Sequence, residues 1–217
     1  KMYDGRDYYA NSAAYQYNNK IGGNSASILS NTSKGYSFNF TVGLSMAQKK
    51  GFSGSLFFSH TTAQSTTDNL GSNASSAWGA TPIINNPNDI FLASAIDALP
   101  SRIVGTLSYR KEYLKHLATT VTLYYDGSTA GRYSYTYNGD VNGDAIAADL
   151  LYIPNDASEV NFVTANGFTP QQQVDAFNTL IKNSKYLSSH KGKIAGRNAA
   201  VMPWNSRFDL KFIQDVF

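Results

Sequence analysis

From Tyr36 to Met46 the chain alternates with almost no error. Tyr36, Phe38, Phe40, Val42, Leu44 and Met46 take one parity, and Ser37, Asn39, Thr41, Gly43 and Ser45 take the other. Successive side chains of a strand point to opposite faces, so this stretch has one apolar face backed by a polar one. The span 36–48 exceeds the roughly 5–6 residues of a usual soluble strand and suits the roughly 9–11 that a tilted strand needs to cross a bilayer. Gln48-Lys49-Lys50-Gly51 reads as a tight polar turn. After it comes a second strand, 52–62, with Phe52, Gly54, Leu56 and Phe58 on one face and Phe57 breaking the alternation.

The same period returns downstream. Ile103, Gly105, Leu107 and Tyr109 predict a strand over 102–111. A turn through Lys111-Glu112-Tyr113 leads to a strand over 116–126 carrying Leu117, Val121, Leu123 and Tyr125. Over 206–216, Phe208, Leu210, Phe212 and Val216 alternate with Arg207, Asp209, Lys211 and Asp215. A charge at nearly every second position requires that face to look into water. Phe38, Phe40, Leu44, Leu107, Val121, Leu210 and Phe212 are expected on the opposite, lipid-facing side.

Short turns alternate with long excursions, 64–100 and 126–205. A bacterial outer-membrane barrel puts short turns in the periplasm and long loops outside, so strand 36–48 would descend and the others alternate in direction after it. Residues 25–33 are expected as a strand extension above the membrane. Within the second excursion, Thr169, Pro170 and Gln172 write an N-cap, an N1 proline and a capping box. Val174, Phe177 and Ile181 add an apolar stripe, so 169–183 is predicted as an extracellular helix.

Composition agrees with a barrel. Only 15% of the 217 residues are charged while 42% are hydrophobic, and no apolar run approaches the ~18 residues of a membrane helix. Fifteen Tyr and twelve Phe suit aromatic girdles. The net charge of +3 is too small to argue for nucleic acid, and the absence of cysteine removes disulfide and thiol chemistry. The fold class is therefore all-β, an antiparallel transmembrane β-barrel. About five membrane-length strands fall short of the roughly eight that close the smallest barrels, whose number is normally even. Phe217 also falls on the charged parity. The chain is read as an arc of wall, part of one barrel domain over 1–217.

Several motifs carry a more specific likeness. Tyr133-Ser134-Tyr135-Thr136-Tyr137, Asp140-Val141-Asn142-Gly143-Asp144 and Asp149-Leu150-Leu151-Tyr152-Ile153-Pro154 come in that order. Asn31-Thr32-Ser33-Lys34-Gly35-Tyr36-Ser37 precedes them, and Arg197-Asn198, Met202-Pro203-Trp204 and Arg207-Phe208-Asp209-Leu210 follow. Together they resemble the late-barrel region of Bacteroidetes TonB-dependent receptors, closer to the Oar-like branch than to the SusC-like sugar importers. Ala145 departs from the family's usual Gly. The resemblance implies a barrel of about 22 strands in the outer membrane of a Gram-negative bacterium. It further implies a plug domain and a TonB contact outside this chain, a possible SusD-like surface lipoprotein, and import of an oligosaccharide or peptide. The competing classes are a small autonomous outer-membrane barrel with adhesive loops and a soluble secreted β-domain.

Candidate sites divide by chemistry. Trp78, a large apolar residue in a polar loop, needs a partner or a ligand and is a ligand-contact candidate. Tyr133, Tyr135 and Tyr137 are the others, set against packing, which is favoured. Asp140, Asn142 and Asp144 open a D-x-N-x-D sequence as calcium loops do, but the Gly at the sixth position and the acid at the twelfth are missing, the latter replaced by Leu151. A turn capped by its own Asx side chains is favoured. His60, His116 and His190 form no arrangement with a nucleophile, so no enzyme activity is expected and calcium is the one cofactor considered.

Overall fold

The computed structural model describes residues 1–9, 30–68, 70–89, 91–144 and 146–216. Position 145, Phe217 and the 25–29 part of the expected extension lie outside them; its described part, 30–33, is not strand. The fold is β-rich, 43% strand against 15% helix, with antiparallel sheets. Among the described residues no helix is long and apolar enough to cross a membrane, which says nothing about crossing by strands.

The chain divides into two compact units. One, made of Tyr36–Gln64, Ser94–Arg132 and Val201–Phe217, holds the long sheet. Its strands are β1 (Tyr36–Lys49), β2 (Phe52–Ser65), β3 (Ser101–Tyr113), β4 (Leu117–Thr129) and β5 (Trp204–Val216). They pair antiparallel in the order β1-β2-β3-β4-β5, and the short strand Ala93–Ser94 pairs with β2 off this path. All five match the strands read from periodicity to within three residues at either end, β4 beginning one residue later than expected. Among the described residues β1 and β5 each pair on one side only.

Two tight turns fix the register. Lys50 and Gly51 both take positive φ, 53° and 87°, as a two-residue hairpin turn matched to strand twist demands. Leu114 and Lys115 do the same at 53° and 61° without a glycine. The expected turn at Lys111-Glu112-Tyr113 is thus corrected: β3 runs through Tyr113 and the chain reverses over the three residues Leu114-Lys115-His116. Leu and Lys are poor turn residues, so no turn marker is present there.

The other unit comprises Lys1–Gly35, Ser65–Ala93 and Tyr133–Ala200. It contains α1 (Ala74–Gly79), α2 (Pro170–Asn183) and α3 (Lys185–Ser189). The Thr169 hydroxyl accepts from the Gln172 backbone while the Gln172 side chain accepts from the Thr169 N–H, which closes the predicted capping box. Ile181 is buried with Ile153, Leu187 and Ala195, and Phe177 packs against them. A second cluster joins Ile83, Ile146 and Ala148, with Trp78 packed on it. Helix α1, capped by the Asn73 side chain, lies in the excursion 64–100, where no helix is expected from the sequence. Its run of Ala and Ser carries no apolar stripe, so periodicity had nothing to detect.

Candidate functional site

The sheet offers two chemically opposite faces. On one, register brings Leu44, Leu56, Gly105, Tyr125 and Phe208 into a row across all five strands. The next row is Met46, Gly54, Leu107, Leu123 and Leu210, and the one beyond it runs Phe52, Tyr109, Val121 and Phe212. These side chains are not packed into a protein core. Leu44 is 75% exposed, Phe212 67%, Phe38 60%, Leu210 59%, Phe40 51% and Leu107 50%; Val121 is half-buried. Both buried clusters belong to the other unit.

The opposite face is polar and internally bonded. Ser55 and Thr106 share a hydrogen bond of 2.8 Å across β2 and β3, as do Ser108 and Thr122 across β3 and β4. Arg102 grips Asp126 with two N–H groups at 2.9 Å each. Arg207 stands 4.0 Å from Asp126 and 3.2 Å from Asp209, and its guanidinium lies over the Tyr124 ring. Arg110 bridges Glu112 and Asp215. Pairs this exposed contribute little individually. Their use is to keep this face wet. Phe57, the residue that broke the alternation, sits on this face opposite Gly43. A Cβ at Gly43 would fall inside the Phe57 ring, so the glycine makes room for the aromatic.

In the other unit the tyrosines are engaged by neighbours. Tyr133 and Tyr135 share a hydroxyl hydrogen bond of 3.0 Å, and Tyr135 bonds Ser184 at the same distance. The bond to Tyr135, with burial, pushes the Tyr133 phenol up to about 12. Tyr137 shares a hydrogen bond with Tyr3 and lies beneath the Arg6 guanidinium. Burial, with that bond, raises the Tyr3 phenol. Around these tyrosines the backbone pairs with the 149–151 stretch, Tyr137 N–H donating to Asp149 O and Leu151 N–H to Tyr135 O.

The acidic loop is tied by its own side chains. Asp140 accepts from Gly143 N–H at 2.7 Å, Asn142 from Asp144 N–H at 3.0 Å, and Asp144 from Ile146 N–H at 2.8 Å. The last two are Asx turns. Burial raises the Asp144 carboxyl. No group of three or more His, Cys, Asp or Glu suited to a metal occurs among the described residues. Asp149 accepts from the loop's Val141 N–H at 2.9 Å with one oxygen and pairs with Arg6 through the other, and Arg6 also pairs with Asp4 at 2.7 Å; all three side chains are fully buried.

Sequence reasoning missed the role of Arg197 and Asn198, quoted above only as a motif. Arg197 is buried, donates to Thr66 O at 3.0 Å and Ser65 O at 2.7 Å, stands 3.7 Å from Asp68, and lies over the Phe91 ring. Burial lowers its pKa. Asn198 donates to Asp68 at 2.7 Å and exchanges two hydrogen bonds with Ser134. Together they fasten the stretch 65–91 to the stretch 134–198. Beside them is a cavity of about 450 Å³, lined in part by Trp78, Thr81, Asp89, Phe91 and Arg197. Of the four ligand-contact candidates, Trp78 lines it and the three tyrosines do not. Comparison with protein-family models, curated proteins and solved structures gives no match to this chain.

Proposed function

We propose that the five-strand sheet is a stretch of outer-membrane barrel wall from a TonB-dependent transporter that imports a nutrient. One observation carries the membrane part: a continuous apolar face, exposed from β1 to β5, backed by a polar and charged one. The largest apolar patch on a soluble monomer is about 300–600 Å², and burying one such side chain is worth about 1.5–3 kcal/mol. More than a dozen exposed together demand an apolar solvent. Strands of 13–14 residues are about 43–46 Å long at about 3.3 Å per residue. Tilted by about 45° they rise about 30 Å, the thickness of the hydrocarbon core.

The transporter assignment adds the resemblance of the motifs to TonB-dependent receptors. On that reading the turns at Lys50-Gly51 and Leu114-Lys115 face the periplasm and the excursions face outward. The partners are lipid, further strands and a plug, and TonB through that plug, with a surface lipoprotein as a candidate. A small autonomous barrel closed on these five strands would require β1 to pair with β5, and among the described residues the sheet order lacks that pairing.

The chain's two tryptophans give the test. Trp204 has the parity of Phe208 and Phe212, whereas Trp78 packs on Ile83, Ile146 and Ala148. In vesicles of brominated lipid, Trp204 emission should be quenched and Trp78 emission spared, each read with the other tryptophan changed to Phe. Unquenched Trp204 would overturn the membrane reading.

A further inference from the structure

Charge on the apolar face of the sheet is confined to one place. In the five long strands the Lys, Arg, Asp and Glu residues share the polar face, with two exceptions, Lys49 and Lys111. Both exceptions lie at the turn end. Lys111 has the parity of Leu107 and Tyr109. Lys49 has the opposite parity to Met46, but a bulge between them shifts the register and sets Lys49 opposite Phe52. A bulge re-aims a side chain in this way, and here it turns a cation towards the apolar side.

The surroundings of these lysines are those of a headgroup layer. The Phe52 and Tyr109 rings lie 4.6 Å apart, with Lys49 across from Phe52 and Lys111 two residues along from Tyr109. The next row, Lys111, Thr119 and Gln214, is polar. The Tyr113 hydroxyl reaches it, 2.7 Å from Thr119 and 2.9 Å from Gln214. The boundary between hydrocarbon and headgroups favours aromatic rings and lysine stems that keep their ammonium groups in water. Lys49 and Lys111 are exposed, and neither makes an ion pair or a side-chain hydrogen bond among the described residues. The acids at this end, Glu112 and Asp215, belong to the polar face and are held by Arg110. At the other end of the apolar face, around Tyr36, Phe38 and Trp204, the strands carry no Lys, Arg, Asp or Glu.

Two cations with no acid beside them, on a face that meets lipid, call for an anion at headgroup depth. Lys49 and Lys111 are two strand spacings apart and two residues offset, about 12 Å between Cα atoms, so their long side chains can converge on one headgroup. We propose that Lys49 and Lys111 bind the phosphate of an anionic phospholipid, such as phosphatidylglycerol, in the leaflet at the turn end of the sheet. The site rests on the membrane reading above and adds to the wall a preference among lipids.

The test places one tryptophan beside the lysines, Phe52→Trp with Trp78→Phe and Trp204→Phe, in the full chain reconstituted into phosphatidylcholine vesicles. Brominated phosphatidylglycerol and brominated phosphatidylcholine are compared, mole for mole, as quenchers of its emission. The anionic lipid should occupy the site about fivefold more readily than the neutral one. Lys49→Gln with Lys111→Gln should bring that ratio to about one. Lys50→Gln with Lys115→Gln, which removes the same charge from the turn tips, should leave most of it. Glycerol phosphate added at constant ionic strength should not compete; if it does, the site takes a free phosphate and the lipid assignment fails. Circular dichroism and quenching by the neutral lipid establish that each chain is folded and inserted. Equal quenching by the two lipids, or an equal loss of preference in both double variants, would overturn the headgroup site and leave the membrane wall standing. A reporter that neither lipid quenches would remove both.

Discussion

Single side chains on the two sheet faces should respond oppositely to the same change. Leu123 occupies a central row beside Leu107 and Leu210, so Leu123→Arg should cost about 2–4 kcal/mol of folding stability in lipid vesicles if that row lies at the midplane. Ser53→Arg, on the polar face, should stay within about 0.5 kcal/mol in the same denaturant titration. Gly43 carries a different constraint. Gly43→Ala places a methyl group where the Phe57 ring lies, for a cost of about 1–3 kcal/mol. The double change Gly43→Ala with Phe57→Ala should cost less than the sum of the two single ones, as a double-mutant cycle would record. Outside the sheet, Glu159 accepts from Asn155 and Tyr152, and those bonds hold its carboxyl below the usual range. A lowered folded pKa gives stability that is present at neutral pH and lost as pH falls through that value. The difference in melting temperature between the native chain and Glu159→Gln should therefore shrink from pH 7 towards pH 3.

At the scale of elements, the alternation of apolar and polar residues was enough to find all five long strands, and a capping box enough to find α2. Both signals are local: a strand with one apolar and one polar face needs the period of two, and a helix end must satisfy its own N–H groups. Thr169→Ala should accordingly cost about 1 kcal/mol, seen as lost helical signal on mild heating. What stayed hidden depends on distant residues. Trp78 was recognisable as needing a partner, but that its partners are Ile83, Ile146 and Ala148 follows from folding, because no spacing links them. Arg197 and Asn198 looked like an isolated dipeptide. Their partners at Ser65, Thr66, Asp68 and Ser134 lie between 60 and 135 positions away, beyond the reach of any periodic reading.

For the molecule as a whole, the open order of the sheet sets the pattern of protection. Strands β2 to β4 are paired on both sides, so their amides should exchange slowly with deuterium in detergent. In β1 and β5 every second amide has no partner among the described residues and should exchange much faster. Equal protection across all five strands would mean that something else pairs with those edges. The two edges also share a direction. With each neighbour reversed, β1, β3 and β5 run one way and β2 and β4 the other. Whatever strand joins the free side of β1 antiparallel must run as β2 does, and the same holds at β5. An all-antiparallel wall that returns from β5 to β1 must therefore interpose an odd number of strands, with its first and last members running alike.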